Sequence, residues 1–154
     1  MIASFGKKKF NVNTDKILTF NSLSRSGSLD TEEIQRGKGK KSIKIKGNGL
    51  DSFSITIPLR NKGMDVQKEI KSWKSLKDSK KRYYFMLGGR KFGKYKFFIT
   101  SVEDSDYQIQ QNGVVHAAKL KVSFHEYYYK KKKKKGKNTR NKKRKKRKKR
   151  KKRA

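Results

Sequence analysis

Lysine and arginine are the residues with the most evident chemistry, and they are concentrated after Tyr129. Of the 46 basic residues in this 154-residue chain, 20 follow Tyr129, in a stretch without acidic or aromatic residues. Such a run binds polyanions by releasing their counter-ions, which makes binding strong, salt-sensitive and independent of sequence. Like charges cannot form a core, so we predict that residues 130–154 are a disordered tail. The predicted polyanion or partner contacts in it are Lys142, Lys143, Arg144, Lys145, Lys146, Arg147, Lys148, Lys149 and Arg150.

Catalytic and metal-binding chemistry has little support in the sequence. His116 and His125 are nine positions apart on one predicted strand, a spacing that places them on opposite faces. Glu103, Asp104 and Asp106 lack the pattern of a calcium-binding loop, and an acidic turn or bulge explains them. The chain has no cysteine, which excludes disulfides and thiolate metal sites. We therefore predict a protein that is not an enzyme and that uses no cofactor or metal.

The elements that must position any site begin with a strand and a helix in residues 50–73. Alternate residues from 53 to 59 are apolar, which predicts a strand with one buried face. After a turn at residues 61–63, Val66, Ile70 and Trp73 recur at the spacing of one helix face, in a helix over about 64–78. A helix that covers the preceding strand would start a small core. The predicted core residues are Phe53, Ile55, Ile57, Ile70, Trp73, Phe97, Leu120 and Val122.

The segment before this strand contains two predicted loops and a short strand. The Ser-rich residues 21–30 and the Gly/Lys-rich residues 37–42 have loop composition, and the first segment is a candidate extended arm. Ile43 and Ile45 alternate with lysines, which predicts a short strand with a basic outer face. Glycines follow this strand, so we predict that it forms a hairpin with the strand over 53–59.

Beyond the helix, the sequence predicts more antiparallel strands. Asn112-Gly113 is the strongest hairpin signal, and it precedes a long last strand over 114–128. The longest strictly apolar run, residues 83–87, is too short to span a bilayer, so no membrane segment is expected. The sequence therefore predicts one domain over residues 1–129, with an α+β fold that is mainly antiparallel β-structure and has one flanking helix.

The order of these elements resembles a known family. The chain opens with MIASFG, and the Ser/Arg segment SLSRSGSL is followed by GNGLDSFSITIPL and the helix. A short strand ending in LGG precedes FGKYKFFITSVED, a polar hairpin and the last strand AAKLKVSFHEY. Over residues 1–128, this pattern resembles the GpU-like family of phage tail proteins, known from contractile-tailed phages and phage-like particles.

The resemblance implies a fold of the tail-tube type, an antiparallel sandwich or partly closed barrel with a flanking helix. It implies a structural protein of the virion tail or phage-like particle, assembled in the bacterial cytoplasm and without catalytic residues. Six subunits would form a ring that joins the tail tube to the baseplate hub or completes the tail. The implied partners are further copies of the chain and the tail-tube, baseplate-hub and tape-measure proteins.

The basic tail lies outside the shared pattern, and two hypotheses address it. In the first, the tails of a ring lie in or near its lumen and contact the tape-measure protein or DNA. In the alternative function, the chain is a nucleic-acid-binding protein that acts through its basic C-terminal arm. That alternative predicts binding by a monomer, with an affinity that falls steeply with salt and depends on the arm. The tail function instead predicts that residues 1–129 still form oligomers or dock on other tail proteins at high salt.

Overall fold

The computed structural model describes residues 1–12 and 17–131, and the predicted contacts at Lys142–Arg150 lie outside this range. The described residues form eleven strands and one helix. In chain order these are β1 (Ala3–Phe5), β2 (Lys8–Val12), β3 (Ile17–Leu18), β4 (Ser22–Ser26), β5 (Leu29–Ile34), β6 (Ser42–Asn48), β7 (Ser52–Arg60), α1 (Val66–Asp78), β8 (Phe85–Leu87), β9 (Arg90–Lys91), β10 (Lys96–Ile109) and β11 (Val115–Tyr127).

The strands form two packed sheets and one separate hairpin. The first sheet has the order β3-β2-β1-β8-β9, the second has the order β10-β11-β7-β4, and β5 pairs only with β6. Every neighbouring pair is antiparallel. The prediction of a mainly antiparallel β-fold with one helix is therefore confirmed, and of the two predicted forms, a sandwich or a partly closed barrel, the sheets do not close into a barrel.

Aromatic rings from both sheets fill the space between them. Phe53 of β7 stacks on Phe124 of β11, with ring centroids 4.5 Å apart and an interplanar angle of 9°. From the first sheet, Phe5 meets Phe124 edge-on at 4.9 Å and Phe85 meets Phe53 at 4.8 Å. The residues expected in the core, Phe53, Ile55, Ile57, Ile70, Trp73, Phe97, Leu120 and Val122, are all buried.

Helix α1 covers the core with the face that its sequence spacing predicts. The Asp65 side chain accepts hydrogen bonds from the backbone N–H groups of Gln67 at 3.0 Å and Lys68 at 3.3 Å. This cap makes Val66 the first helical residue, two positions later than predicted, because the capping residue itself is not helical. Trp73 is fully buried beside Phe10, with their ring centroids 5.9 Å apart.

The predicted pairing of the strand around Ile43 and Ile45 is wrong. Strand β6 pairs with β5, and the two sides of β7 are occupied by β11 and β4. The Ser-rich residues predicted as a loop form β4 and the start of β5, because a β-sheet accepts polar side chains on an exposed edge. The backbone N–H of Gly49 donates to the carbonyl of Ser28 at 2.8 Å, which closes the base of the β5–β6 hairpin.

Candidate assembly surfaces

The β5–β6 hairpin is the most exposed element among the described residues, and it carries an apolar face. Ile43 and Ile45 are 67% and 65% exposed. Ile43 is paired with Glu33 and Ile45 with Thr31, so these four side chains share one face of the ribbon. The ion pair between Lys46 and Glu32, 3.2 Å long, lies on the ribbon as well. At about 3.3 Å per residue, the hairpin extends about 20 Å from its base.

The base of the hairpin is fastened tightly to the domain. Arg25 forms an ion pair with Asp51 and donates a hydrogen bond to the carbonyl oxygen of Phe92 at 3.0 Å. Gly27 and Gly49 permit the close approach there. A Cβ atom on Gly27 would lie 2.6 Å from a carboxylate oxygen of Asp51, and one on Gly49 would lie 2.9 Å from the carbonyl oxygen of Ser28. The ribbon therefore leaves the domain at a defined point.

A second exposed apolar patch lies at the turn between β10 and β11, and we call it the β10–β11 tip. Ile109 is 64% exposed and Val114 is 42% exposed. The backbone N–H of Gly113, which has φ +80°, donates to the carbonyl of Gln110 at 2.8 Å. The hairpin predicted from Asn112-Gly113 is therefore confirmed. This tip lies at the start of β11, whereas the base of the β5–β6 hairpin lies at the end of β11, where the N–H of Glu126 donates to the carbonyl of Asp51.

The acidic residues that were predicted to form a turn or bulge form a bulge inside β10. The register of β10 against β11 shifts between Ser105 and Gln108, and Asp106 has φ +53°. Asp104 lies beside this bulge, where it accepts a hydrogen bond from the Tyr107 hydroxyl and lies 2.8 Å from the Lys74 ammonium group of α1. These contacts attach the helix to the sheet.

The hydrogen bonds of Asp104 with Lys74 and Tyr107 shift the pKa values of Asp104 and Tyr107. Bonding to Lys74 and then to Tyr107 lowers the pKa of Asp104, against the opposing effect of burial. The hydrogen bond to Asp104 raises the pKa of Tyr107 to about 12. The contribution of Asp104 to stability is therefore present above the unfolded pKa and is lost as the pH falls through the folded value. The contribution of Tyr107 to stability is present below its unfolded pKa near 10, and it is lost as the pH rises through about 12.

Replacing Asp104 by asparagine is expected to lower the pKa of Tyr107 from about 12 towards 10, because the negative charge that holds its proton is removed. The ultraviolet absorbance of tyrosinate, recorded during an alkaline titration, measures this shift. Tyr107→Phe identifies the component that belongs to Tyr107, and Glu103→Gln is the matched control. An Asp104→Asn titration curve that overlies the wild-type curve would contradict the assignment.

Metal and membrane sites receive no support from the described part of the chain. No group of three or more His, Cys, Asp or Glu residues there could hold a metal ion. Over the same residues, the structure has no helix of the length and apolar character that crossing a bilayer requires. Three basic residues of the strands form ion pairs: Arg25 with Asp51, Lys46 with Glu32 and Lys119 with Asp106.

Comparison with known proteins identifies the family. A search among curated proteins finds no match. Two solved structures are similar to this chain at 16% identity over 71% of its length. The first is the tail of an empty GTA particle, computed with helical refinement and C6 symmetry, with a TM-score of 0.42 and 78% of that chain covered. The second is the virion of a native gene transfer agent (GTA) particle, with a TM-score of 0.41 and 81% of that chain covered. The family described as Phage P2 GpU matches residues 6–128. The chain therefore belongs to the Phage P2 GpU family, the phage tail family that its sequence resembles.

Proposed function

We propose that this chain is a structural tail protein, not an enzyme, that assembles into a ring and joins the tail tube to the baseplate hub or completes the tail. Membership of the Phage P2 GpU family supports the setting. The observation that supports ring assembly is the exposed apolar face of the β5–β6 hairpin. The proposed ring contains six copies, and its partners in the virion tail are the tail-tube, baseplate-hub and tape-measure proteins.

The hairpin needs a partner surface for physical reasons. An isolated two-stranded ribbon is marginally stable in water, because neither face is covered. Here the ribbon also exposes Ile43 and Ile45, and burying an isoleucine side chain is worth about 1.5–3 kcal/mol. Packing against another subunit would stabilise the ribbon and remove both side chains from water. The tight base at Gly27 and Gly49 holds the ribbon in position for such a contact.

The β10–β11 tip is the surface that we propose for the neighbouring subunit's hairpin. Ile109 and Val114 supply exposed apolar groups at the end of the second sheet opposite the hairpin base. Two different patches at opposite ends of one subunit make a heterologous, head-to-tail contact. Repeated contacts of this kind produce a ring when the rotation closes and a filament when it does not.

The mass of the full chain in solution tests the ring directly. Light scattering at about 0.5 M salt measures it under conditions where exposed charges are largely screened, and negative-stain images of the same sample show closure. We expect closed rings with six times the chain mass of 18.0 kDa. A monomer at every concentration would contradict self-assembly, and open filaments would contradict closure.

A further inference from the structure

Tyrosines and basic residues lie together where β10 starts and β11 ends in the second sheet, beside β9 and the segment before β8 of the first sheet. We call this area the tyrosine–lysine surface, and its members are Arg82, Tyr84, Lys91, Lys96 and Tyr127. The Lys91 ammonium group lies 4.1 Å from the centroid of the Tyr84 ring, and that of Lys96 lies 5.6 Å from it. The Arg82 guanidinium lies 4.1 Å from the centroid of the Tyr127 ring. Lys96 and Tyr127 are direct partners across β10 and β11, so these contacts form one continuous surface.

The charge of this surface has a single sign. Residues 79–102 contain seven lysines and arginines and no acidic residue, and no acidic residue follows Glu126. Glu126 itself is buried and accepts a hydrogen bond from the backbone N–H of Asp51 at 3.1 Å. Asp78 is the acidic residue that lines the adjoining groove, and the ammonium group of Lys77 lies 3.3 Å from its carboxylate. A ligand of this surface is therefore an anion.

A groove beside Arg82 and Tyr127 adds space for a flat group. Its volume is about 850 Å³, and Phe98, Lys80 and Thr100 also line it. The Phe98 ring lies 6.4 Å from that of Tyr127, so the groove has aromatic walls and a basic rim. This combination matches nucleic acids, whose bases stack on aromatic rings while lysine and arginine pair with phosphates. It matches protein partners less well, because lysine is depleted at protein–protein interfaces.

We propose that the tyrosine–lysine surface binds a single-stranded nucleic acid. Lys91, Lys96 and Arg82 pair with successive phosphates, and bases stack on Tyr84 and Tyr127. Stacking of a base on an aromatic side chain is stronger than an exposed cation–π contact. Bases can therefore displace the basic side chains from the ring faces and leave them free to reach phosphates.

Two further tyrosines follow Tyr127 in the chain and precede the basic residues. The ring of Tyr128 lies 5.0 Å from that of Tyr95, and Tyr129 is 66% exposed. Beyond Lys131, the remaining 23 residues include 18 lysines and arginines. The aromatic groups that the tail lacks are thus supplied by the folded domain, next to the point where the tail starts. The proposal does not depend on ring formation.

The experiment separates stacking from charge by comparing two ligands of the full chain. One is a fluorescent thymidine oligonucleotide of about 15 nucleotides, and the other is an abasic strand of the same length and charge. The tail contributes similarly to both, so the ratio of the two affinities reports stacking. We expect the thymidine strand to bind at least about tenfold more tightly, which corresponds to one stacked base. Equal affinities would overturn the proposal and leave charge alone as the cause.

Matched variants locate the contact. Tyr84→Ala and Tyr127→Ala are expected to reduce the affinity ratio, whereas Tyr84→Phe and Tyr127→Phe keep the ring and the ratio. Lys96→Ala is expected to reduce the salt dependence by about 0.7 in log–log slope, one phosphate contact to a single strand. Lys44→Ala, on the exposed hairpin, is the lysine control. A Lys44→Ala variant that loses as much slope as Lys96→Ala would overturn the assignment.

Crosslinking of the wild-type chain tests the surface without any variant. Ultraviolet crosslinking to a strand that carries a photoreactive iodouracil base, followed by mass spectrometry, identifies the residues that touch bases. We expect crosslinks at Tyr84 and Tyr127. Crosslinks that map only to residues after Lys131 would overturn the proposal, because they would place the bases on the tail.

Discussion

Trp73→Ala is expected to lower the free energy of unfolding by about 3–5 kcal/mol, the usual loss when a buried aromatic side chain is truncated. Trp73 is fully buried on the inner face of α1. The truncation leaves a cavity between the helix and Phe10, whose ring centroid is 5.9 Å from that of the indole. The Lys8 ammonium group lies 5.2 Å from the indole centroid and 2.8 Å from the Glu69 carboxylate, so this partly buried ion pair loses its support as well.

Two control variants make this result specific. Trp73→Phe keeps a ring and removes the indole N–H, which is buried and has no hydrogen-bond partner among the described residues. Leaving such a group unpaired costs about 1–3 kcal/mol, so we expect the phenylalanine variant to lose less than half as much as the alanine variant. Leu50→Ala, at a 45% exposed position, is expected to change stability by about 0.5 kcal/mol or less.

Urea unfolding followed by far-ultraviolet circular dichroism measures all three variants at one protein concentration. Fluorescence is unsuitable, because Trp73 is the single tryptophan of the chain. A loss below about 1 kcal/mol for Trp73→Ala would contradict the packing of α1, since a value that small is typical of exposed positions.

Ile43→Lys is expected to prevent ring assembly while leaving the fold intact. Each interface loses the burial of one isoleucine, about 1.5–3 kcal/mol, which weakens each contact by about 10- to 100-fold. The lysine charge must also be desolvated on binding, which adds to the loss. Ile43 is 67% exposed in the single chain, so we expect the stability of the domain itself to change by only about 0.5 kcal/mol. Light-scattering mass at about 0.5 M salt measures the assembly.

The neighbouring residue provides a matched control. Ser42 precedes Ile43 and its side chain leaves the opposite face of β6, so Ser42→Lys adds the same charge to the same ribbon. We expect Ser42→Lys to assemble as the wild type does. Equal loss of assembly in both variants would show that added charge, and not the apolar face, is responsible.

A second site tests the proposed acceptor surface. Ile109→Glu at the β10–β11 tip is expected to prevent assembly alone and to restore part of it when combined with Ile43→Lys, because the two new charges then face each other across the contact. Failure of the double variant to regain any mass, when each single variant is folded, would place the acceptor of the hairpin elsewhere.

The regular parts of this fold were predictable because burial leaves a period in the sequence. The alternation from Phe53 to Leu59 and the helical spacing of Val66, Ile70 and Trp73 each report a surface that faces the core. The turn at Asn112-Gly113 was predictable for a different reason, since both residue types tolerate positive φ. Each of these signals is local, and each needs only neighbouring residues to be read.

The pairing of β6 and the tyrosine–lysine surface were not predictable in the same way. The partner of β6 depends on which strands occupy the sides of β7, and these include β11, about 70 positions away. One local signal for the β5–β6 hairpin did exist, because the acidic Glu32 of β5 lies opposite the basic Lys44 of β6. The tyrosine–lysine surface gave no such signal, because Tyr84, Lys96 and Tyr127 meet only in the folded chain.

The separate pairing of β5 with β6 has a consequence for the order of folding. A ribbon of neighbouring residues closes within about 1–10 microseconds. The ladder between β7 and β11 joins residues as distant as Phe53 and Phe124, and non-local pairing of this kind is slow because a long loop must close first. We expect the isoleucine face of the ribbon, although marginally stable by itself, to form before the aromatic core, when the chain is most prone to aggregate. The lysines and glutamates that flank Ile43 and Ile45 would act as gatekeepers in that interval, which gives them a role before any ring exists.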